Sequence, residues 1–290
     1  MSTKRKSDIS KNNGEILGAL QNKSGLATDD ESIALNESGP DLLVDLDNEQ
    51  GKVPGERTLP RGLYITIKIG EGLSAKRKIA QYVVEHYVHD FDAVLLDAGS
   101  TAEIIAEEMF EKRKFLSVLT NNMGAYAAYT RAGEADKKNP VNQGNELLIS
   151  GGRYVDVYES LLGDEATPSI EAFTPNIIIL GTSGLRWDEG IFCHGSEEST
   201  VKHLLWTKPT DIRLIATDWT KIGKRDARTF GKLPDFKMNT KKAVIVTNVP
   251  PRELYNEDPK RAEEFDVELN RLEKAGIIVH KVGTGTVGDR

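Results

Sequence analysis

The sequence is poor in cysteine and in long apolar runs. Its 290 residues include one cysteine, Cys193, so an intrachain disulfide and a cysteine-rich zinc site are both excluded. The longest apolar stretches, such as 177–180, are far shorter than the roughly 20 residues that a membrane-spanning helix needs. The basic residues 4–6 are not followed by the apolar segment of a secretory signal. We therefore expect a cytoplasmic protein that does not interact with membranes.

Aromatic residues are missing from the first part of the chain. Residues 1–57 contain none, and they carry 11 acidic residues against 7 basic ones. Within them, residues 25–51 hold eight acids and no base. So little apolar surface cannot offset the entropy lost on ordering a segment. We predict a disordered acidic tail over 1–57 and a folded domain over 58–290.

Positive charge is in the minority over the whole chain. The formal net charge is -7, which argues against a continuous nucleic-acid surface. We therefore expect no tight DNA binding by this chain alone. His86 and His89 lie three residues apart without an acid or cysteine cluster to complete a metal site. No metal and no cofactor is expected.

What the sequence has is an alternation of short apolar runs and helical patterns. This alternation predicts an α/β fold with a mostly parallel sheet flanked by helices. The predicted central strands are Ala93–Leu96, Leu116–Leu119, Leu147–Ile149, Ile177–Leu180, Arg213–Ala216, Ala243–Val246 and Ile277–Val279. The predicted helices are Ser74–His89, Ala102–Lys112, Gly124–Ala132, Ser196–Trp206 and Lys260–Ala275. A further strand, half exposed or at an edge, is predicted over Tyr64–Ile69, because its isoleucines alternate with polar residues.

The first chemical candidate follows the strand Ala93–Leu96. Asp97, Gly99, Ser100 and Thr101 form a small polar turn before a helix. The free N–H groups of a helix N-terminus and its positive dipole attract anions, and glycine allows a phosphate to approach the backbone. The alternative is a capping box between Ser100 and Glu103 that any helix can carry.

Similar turns follow three more strands. They contain Asn121, then Gly151 and Gly152, then Ser183 and Gly184. Ligands of open α/β sheets bind at the carboxyl ends of the strands, so the repetition predicts a phosphorylated or polyhydroxylated ligand there. Taken singly, Asn121 is equally consistent with an ordinary turn residue.

Two charged candidates come later in the chain. Lys221 follows the strand Arg213–Ala216, where it could reach a phosphate, although a solvated turn lysine is the alternative. Glu198 lies four residues before Lys202 on a helix, a spacing also typical of an exposed salt bridge.

Taken together, the motifs resemble the effector-sensing C-terminal domain of DeoR-type transcriptional regulators. The resemblance covers roughly residues 60–250 and rests on seven short blocks. These blocks are Lys76–Ala80, Leu96–Thr101, Leu119–Asn121, Ser150–Gly152, Gly181–Gly184 with 188–191, Glu198–Lys202 and Asp218–Gly223. Regulators of this family carry an N-terminal winged helix-turn-helix, and residues 1–57 of this sequence lack its pattern.

The resemblance implies a fold shared with ribose-5-phosphate isomerase and CoA transferases, and a phosphorylated sugar or related metabolite as ligand. We therefore hypothesise a regulatory sensor that acts with a homo-oligomeric or other protein partner. In this hypothesis the backbone amides of residues 99–101 bind the phosphate, and Asp97 and Asn121 bind hydroxyl groups. Glycines 151 and 152 allow the ligand to approach the backbone closely, and Lys221 supplies positive charge. The alternative is an enzyme, either a sugar-phosphate isomerase or a CoA-transferase-like protein, with Asp97 or Glu198 as base.

Overall fold

The computed structural model describes residues 63–135 and 144–283. The predicted tail at 1–57 lies outside the described residues, and so does most of the segment between Arg131 and Gln143. The predicted domain boundary at residue 58 therefore stays a prediction.

A seven-stranded parallel sheet forms the centre of the described structure. Its strands are β1 (Ala93–Leu96), β2 (Ser117–Thr120), β3 (Glu146–Ile149), β6 (Ile177–Leu180), β9 (Thr210–Ala216), β11 (Thr240–Asn248) and β12 (Ile278–Val282). Their spatial order is β12-β11-β9-β6-β1-β2-β3. The prediction of a mostly parallel sheet is confirmed, and every predicted central strand overlaps an observed one.

Helices flank this sheet. They are α1 (Leu63–Gly70), α2 (Leu73–Tyr87), α3 (Ser100–Lys112), α4 (Met123–Ala135), α5 (Thr167–Ala172), α6 (Ser196–Thr207), α7 (Leu254–Glu257) and α8 (Pro259–Lys274). In the described ranges, none of the helices has the length and apolar character required to span a bilayer.

The strands are apolar on both faces because helices cover both. Leu96 belongs to a core that includes side chains from α2, α3 and α4. Its neighbour Leu95 points the opposite way, into a core that includes side chains from α5, α6 and α8. Successive side chains of a strand alternate between faces, so runs such as β6 contribute to both cores. We call these the α2 face and the α6 face.

The strand order places a topological switch point between β1 and β6. From β1 the chain passes to β2 and β3 on one side, and then crosses to β6, β9, β11 and β12 on the other. The connections that leave β1 and β6 therefore diverge, which opens a crevice at their carboxyl ends. Ligands of open α/β sheets bind in such crevices.

Two smaller antiparallel sheets were not predicted from the sequence. One contains β7 (Gly184–Arg186), β8 (Gly190–Cys193) and β10 (Arg228–Gly231), and the other is the hairpin of β4 (Arg153–Val155) and β5 (Ser160–Leu162). Their strands are only three or four residues long, too short for an alternating pattern to stand out.

The predicted strand over Tyr64–Ile69 is wrong, because this segment is helix α1. Ile69 and Leu73 pack against the core of the α2 face, while Ile67 is 44% exposed. Alternating β-branched residues over so short a segment do not decide between helix and strand. Packing against the core outweighs their local preference for a strand.

Arg213, in β9, is a buried cation that joins several loops. It is 1% exposed. Its guanidinium donates to the carbonyl groups of Phe236 (3.2 Å), Met238 (2.6 Å) and Lys208 (2.7 Å). It also lies 5.4 Å from the centroid of the Trp206 ring. Arg213 therefore satisfies backbone acceptors that a purely apolar core would leave without donors.

Replacing Arg213 by Met should lower the free energy of unfolding by on the order of 3 kcal/mol, because three carbonyl groups lose their donor. Urea unfolding at neutral pH measures the loss. Lys241→Met is the control, since Lys241 pairs with Asp211 at the surface and should change stability by less than about 0.5 kcal/mol. Equal stability of the two variants would contradict the assigned role.

Candidate functional site

A buried ion pair bridges the switch point. Asp97 follows β1 directly, and its Oδ2 accepts a hydrogen bond from the backbone N–H of Gly181, which follows β6 (3.0 Å). The Lys202 ammonium donates to the same carboxylate and to the carbonyl group of Gly181 (3.2 Å). Asp97 is 1% exposed and Lys202 is 2% exposed. One side chain of α6 thus ties together the two strand ends that form the crevice.

The sequence analysis did not identify Lys202 as a site residue, and the alternative of an exposed salt bridge with Glu198 is wrong, because Lys202 is buried. Lys202 lies on the buried side of α6 with Leu205 and Trp206, three and four residues further on. A lysine within an apolar stripe, four residues after an acid, is the signal that could have identified it.

Glu198 supports this pair from the first turn of α6. Its Oε2 accepts hydrogen bonds from the N–H groups of His194 (3.1 Å) and Gly195 (3.4 Å), as in a capping box. Its Oε1 lies 3.6 Å from the Lys202 ammonium. Burial disfavours the charged ammonium, but the carboxylates of Asp97 and Glu198 outweigh burial and raise the pKa of Lys202 to about 12. Lys202 is therefore a cation at neutral pH.

Two acceptor atoms in the crevice have no hydrogen-bond donor within the described structure. They are Oδ1 of Asp97 and Oδ1 of Asn121, and both are buried. The pairing of Leu96 with Thr120 places the two residues side by side, one position beyond the ends of β1 and β2. Buried acceptors without donors are rare in folded proteins. Both side chains therefore keep an acceptor without a donor at the carboxyl edge of the sheet.

The neighbouring Asn122 has a different role. Its Oδ1 accepts from the N–H of Gly124 (2.9 Å) and its Nδ2 donates to the carbonyl of Gly99 (3.2 Å). It therefore caps α4 and fixes the turn before α3. In the side chain of Asn121, by contrast, only Nδ2 is engaged, donating to the carbonyl group of Leu161 (3.2 Å). Its Oδ1 has no donor among the described residues.

The turn before α3 leaves its backbone open. Gly99 precedes the helix with φ of 126°, and no atom lies within 4 Å of the position that a Cβ would occupy. No side chain caps the helix, and the Glu103 carboxylate lies against Gly124 instead. The proposed capping box with Ser100 is therefore not formed. The first-turn N–H groups at Ser100 and Thr101 have no intrahelical partner, as helix geometry requires.

The remaining turn residues have neighbours within the protein. A Cβ at Gly152, where φ is 110°, would lie 2.7 Å from the carbonyl oxygen of Leu162, and one at Gly184 would lie 2.6 Å from that of Lys224. The N–H of Ser183 donates to the carbonyl group of Phe192 (3.0 Å). The ligand contacts expected of Ser183, Gly184 and residues 151–152 stay predictions.

Lys221 lies in a second cluster at the same edge of the sheet. It ends a short 3-10 turn whose carbonyl groups at Trp219 (3.2 Å) and Thr220 (3.3 Å) accept from Arg261. Its charged neighbours include Lys76, which belongs to α2 and hence to the α2 face, whereas Lys202 lies on the α6 face. The structure thus groups Asp97, Asn121 and Glu198, and places Lys221 in a separate cluster.

The described part of the chain contains no group of three His, Cys, Asp or Glu side chains arranged to hold a metal ion.

Comparison with known proteins identifies relatives among regulators. Residues 72–241 match the family model described as the DeoR C-terminal sensor domain. The transcriptional repressor AccR of Agrobacterium fabrum is 23% identical over 65% of this chain and 66% of its own length. The HTH-type transcriptional regulator GlpR of Haloferax volcanii is 26% identical over 57% of this chain and 59% of its own. This chain thus spans less than two thirds of the length of these curated relatives.

Solved structures give more distant likenesses. Ribose 5-phosphate isomerase A from Methanocaldococcus jannaschii aligns with 14% identity and a TM-score of 0.36, over 54% of this chain and 58% of its own. A domain of a possible sugar-binding transcriptional regulator from Arthrobacter aurescens aligns with 11% identity and a TM-score of 0.37, over 80% and 96%. At these TM-scores, neither protein's activity extends to this chain.

The buried pair should be costly to break from one side. Lys202→Met leaves the Asp97 carboxylate buried without its cation and should lower the free energy of unfolding by about 3–5 kcal/mol. Adding Asp97→Asn should recover much of this loss, because the buried negative charge is then removed as well. Urea unfolding of the single and double variants measures both effects.

The control for this experiment is Arg153→Met, which removes one partner of an exposed ion pair with Glu197. It should change stability by less than about 1 kcal/mol. A Lys202→Met variant as stable as this control would show that the pair does not hold the crevice together.

Proposed function

Because the chain belongs to the family of DeoR C-terminal sensor domains, we propose that it is a regulatory sensor of a phosphorylated, polyhydroxylated metabolite. The observation that carries the proposal is the pair of buried acceptors without donors, Oδ1 of Asp97 and Oδ1 of Asn121, beside a buried ion pair. They lie at the switch point of the sheet, where small ligands of such folds bind.

The chemistry of these acceptors favours hydroxyl groups on the ligand. A carboxylate and an amide carbonyl accept hydrogen bonds, and adjacent sugar hydroxyls can donate one to each. Lys202 is already engaged by Asp97 and Gly181, so it orients the Asp97 carboxylate instead of neutralising a ligand. A ligand hydroxyl would satisfy two atoms that otherwise remain buried without partners.

The open turn at 99–101 favours an anionic group on the same ligand. Several N–H groups point out of the helix N-terminus, and the missing side chain at Gly99 leaves room for a phosphate. Lys221 supplies further positive charge at the same edge of the sheet. Together these features fit a sugar phosphate better than a neutral sugar.

The regulatory part of the proposal follows from the relatives. They are transcriptional regulators, one of them a repressor, so ligand occupancy in this protein would control transcription. The protein would act in the cytoplasm. Contact with DNA would be indirect, through a homo-oligomer or another protein. Any such partner would respond to the liganded state of the sensor domain.

A thermal-shift screen of sugar phosphates, free sugars and polyols tests the proposal. A ligand that binds only the folded state stabilises it by about 2.7 kcal/mol at a concentration one hundred times Kd. We expect a sugar phosphate to raise Tm and its unphosphorylated form to raise it less. If no compound raised Tm at millimolar concentration, we would abandon the proposed function.

Adjacent asparagines provide a matched test of the site. Asn121→Ala removes the free acceptor and should weaken binding of the best screening compound by about tenfold, which corresponds to roughly 1.4 kcal/mol. Asn122→Ala removes a helix cap and should cost about 1 kcal/mol of stability with little effect on affinity. Titration calorimetry and urea unfolding separate the two effects. A loss of affinity in Asn122→Ala and none in Asn121→Ala would contradict contact between the ligand and Asn121.

A further inference from the structure

Two exposed phenylalanine side chains stack on each other at the amino edge of the sheet, opposite to the crevice. Phe91 lies in the loop before β1, and Phe115 lies in the loop before β2. Their ring centroids are 4.9 Å apart and their planes are 7° from parallel. Phe91 is 75% exposed and Phe115 is 53% exposed. Aromatic side chains of this size are typical of cores and interfaces, so we call these two residues the phenylalanine pair and examine what holds them outward.

The backbone holds both rings in a costly conformation. Phe91 has φ of 71° and Phe115 has φ of 57°, and a bulky residue keeps such left-handed values only where its surroundings enforce them. Here the N–H of Phe91 donates to the carbonyl group of Lys114 (3.1 Å), and the N–H of Lys114 donates to Oδ1 of Asp90 (3.0 Å). The Phe115 ring also lies against Gly144, where a Cβ would be 2.5 Å from a ring carbon. The two loops are therefore tied together, and they present the rings to solvent in a fixed geometry.

The phenylalanine pair is flanked by one charge of each sign. Asp90 precedes Phe91 and Lys114 precedes Phe115, and both charged residues are exposed. Among the ion pairs of residues 63–135 and 144–283, none includes Asp90 or Lys114. A rotation by 180° about an axis through the phenylalanine pair exchanges the two loops, so it brings the acid of one copy to the base of another. The surface is therefore complementary to itself, as a two-fold interface requires.

We propose that the phenylalanine pair is the centre of a two-fold interface between two copies of this chain. In this interface the four rings pack together, and Asp90 of each copy pairs with Lys114 of the other. Two aromatic side chains contribute at most about 500 Å², whereas a stable interface buries about 800 Å² on each partner. We therefore expect a reversible dimer. The inference goes beyond the proposed sensor function, because it needs no ligand and uses the opposite edge of the sheet.

Sedimentation velocity of the full chain, from about 1 to about 500 µM, tests the role of the rings. The wild type should shift from monomer to dimer as its concentration rises. Phe91→Asn and Phe115→Asn each remove one ring but keep a residue that tolerates the left-handed conformation. Each substitution is present twice in a two-fold dimer, so the dissociation constant should rise on the order of a hundredfold. Urea unfolding should show that both variants remain folded.

Charge reversal tests the two-fold pairing itself. Asp90→Lys alone, or Lys114→Glu alone, places like charges opposite each other, so each should raise the dissociation constant on the order of tenfold at low ionic strength. An equimolar mixture of the two variants should associate again, because both contacts of the mixed dimer then join opposite charges. Recovery in the mixture excludes damage to a loop as the cause of the loss. Lys260→Glu, which changes an exposed residue of α8, is the control and should dimerise like the wild type.

Three results would overturn the inference. A wild type that stays monomeric over the whole concentration range is the first. The second is a dimer that neither phenylalanine substitution weakens, because its interface would then lie elsewhere on the chain. The third is a pair of charge variants that fail to associate when mixed. None of these results affects the sensor proposal, which is tested by ligand binding alone.

Discussion

The candidate site depends on the ion pair between Asp97 and Lys202. Removing both charges from water costs several kcal/mol per ion, and good geometry must compensate for that cost. Here the compensation comes from three separate elements, since Asp97 follows β1, Gly181 follows β6 and Lys202 lies in α6. The pair forms only when all three are in place. The same contacts that close the α6 face of the sheet therefore fix the position of the carboxylate in the crevice.

The carboxyl edge of the sheet carries two polar clusters of opposite character. On the α6 face, two carboxylates surround one buried ammonium. Beyond the end of β9, Lys221 follows Asp218, and both act on the charge of Lys76 in α2. In the proposed function, the hydroxyl groups of the ligand would meet Asp97 and Asn121, its anionic group would meet the open turn at 99–101, and Lys221 would add positive charge at the same edge of the sheet.

Periodicity predicted the central fold because buried parallel strands are local features of the sequence. Strands β1 and β6 were predicted with their observed bounds, since each is an unbroken apolar run covered on both faces. Lys202 was not recognised as buried, because its burial depends on Asp97, which lies 105 residues earlier in the chain, and no local pattern encodes that contact.

The buried acceptors of the crevice indicate a compromise between stability and binding. Each buried acceptor that lacks a donor costs about 1–3 kcal/mol relative to a satisfied one. Asn121 could have been used as Asn122 is, with its carbonyl oxygen capping a helix, yet that oxygen has no donor. In the proposed function, a ligand hydroxyl would remove this cost, so the atoms that weaken the empty fold would strengthen the complex.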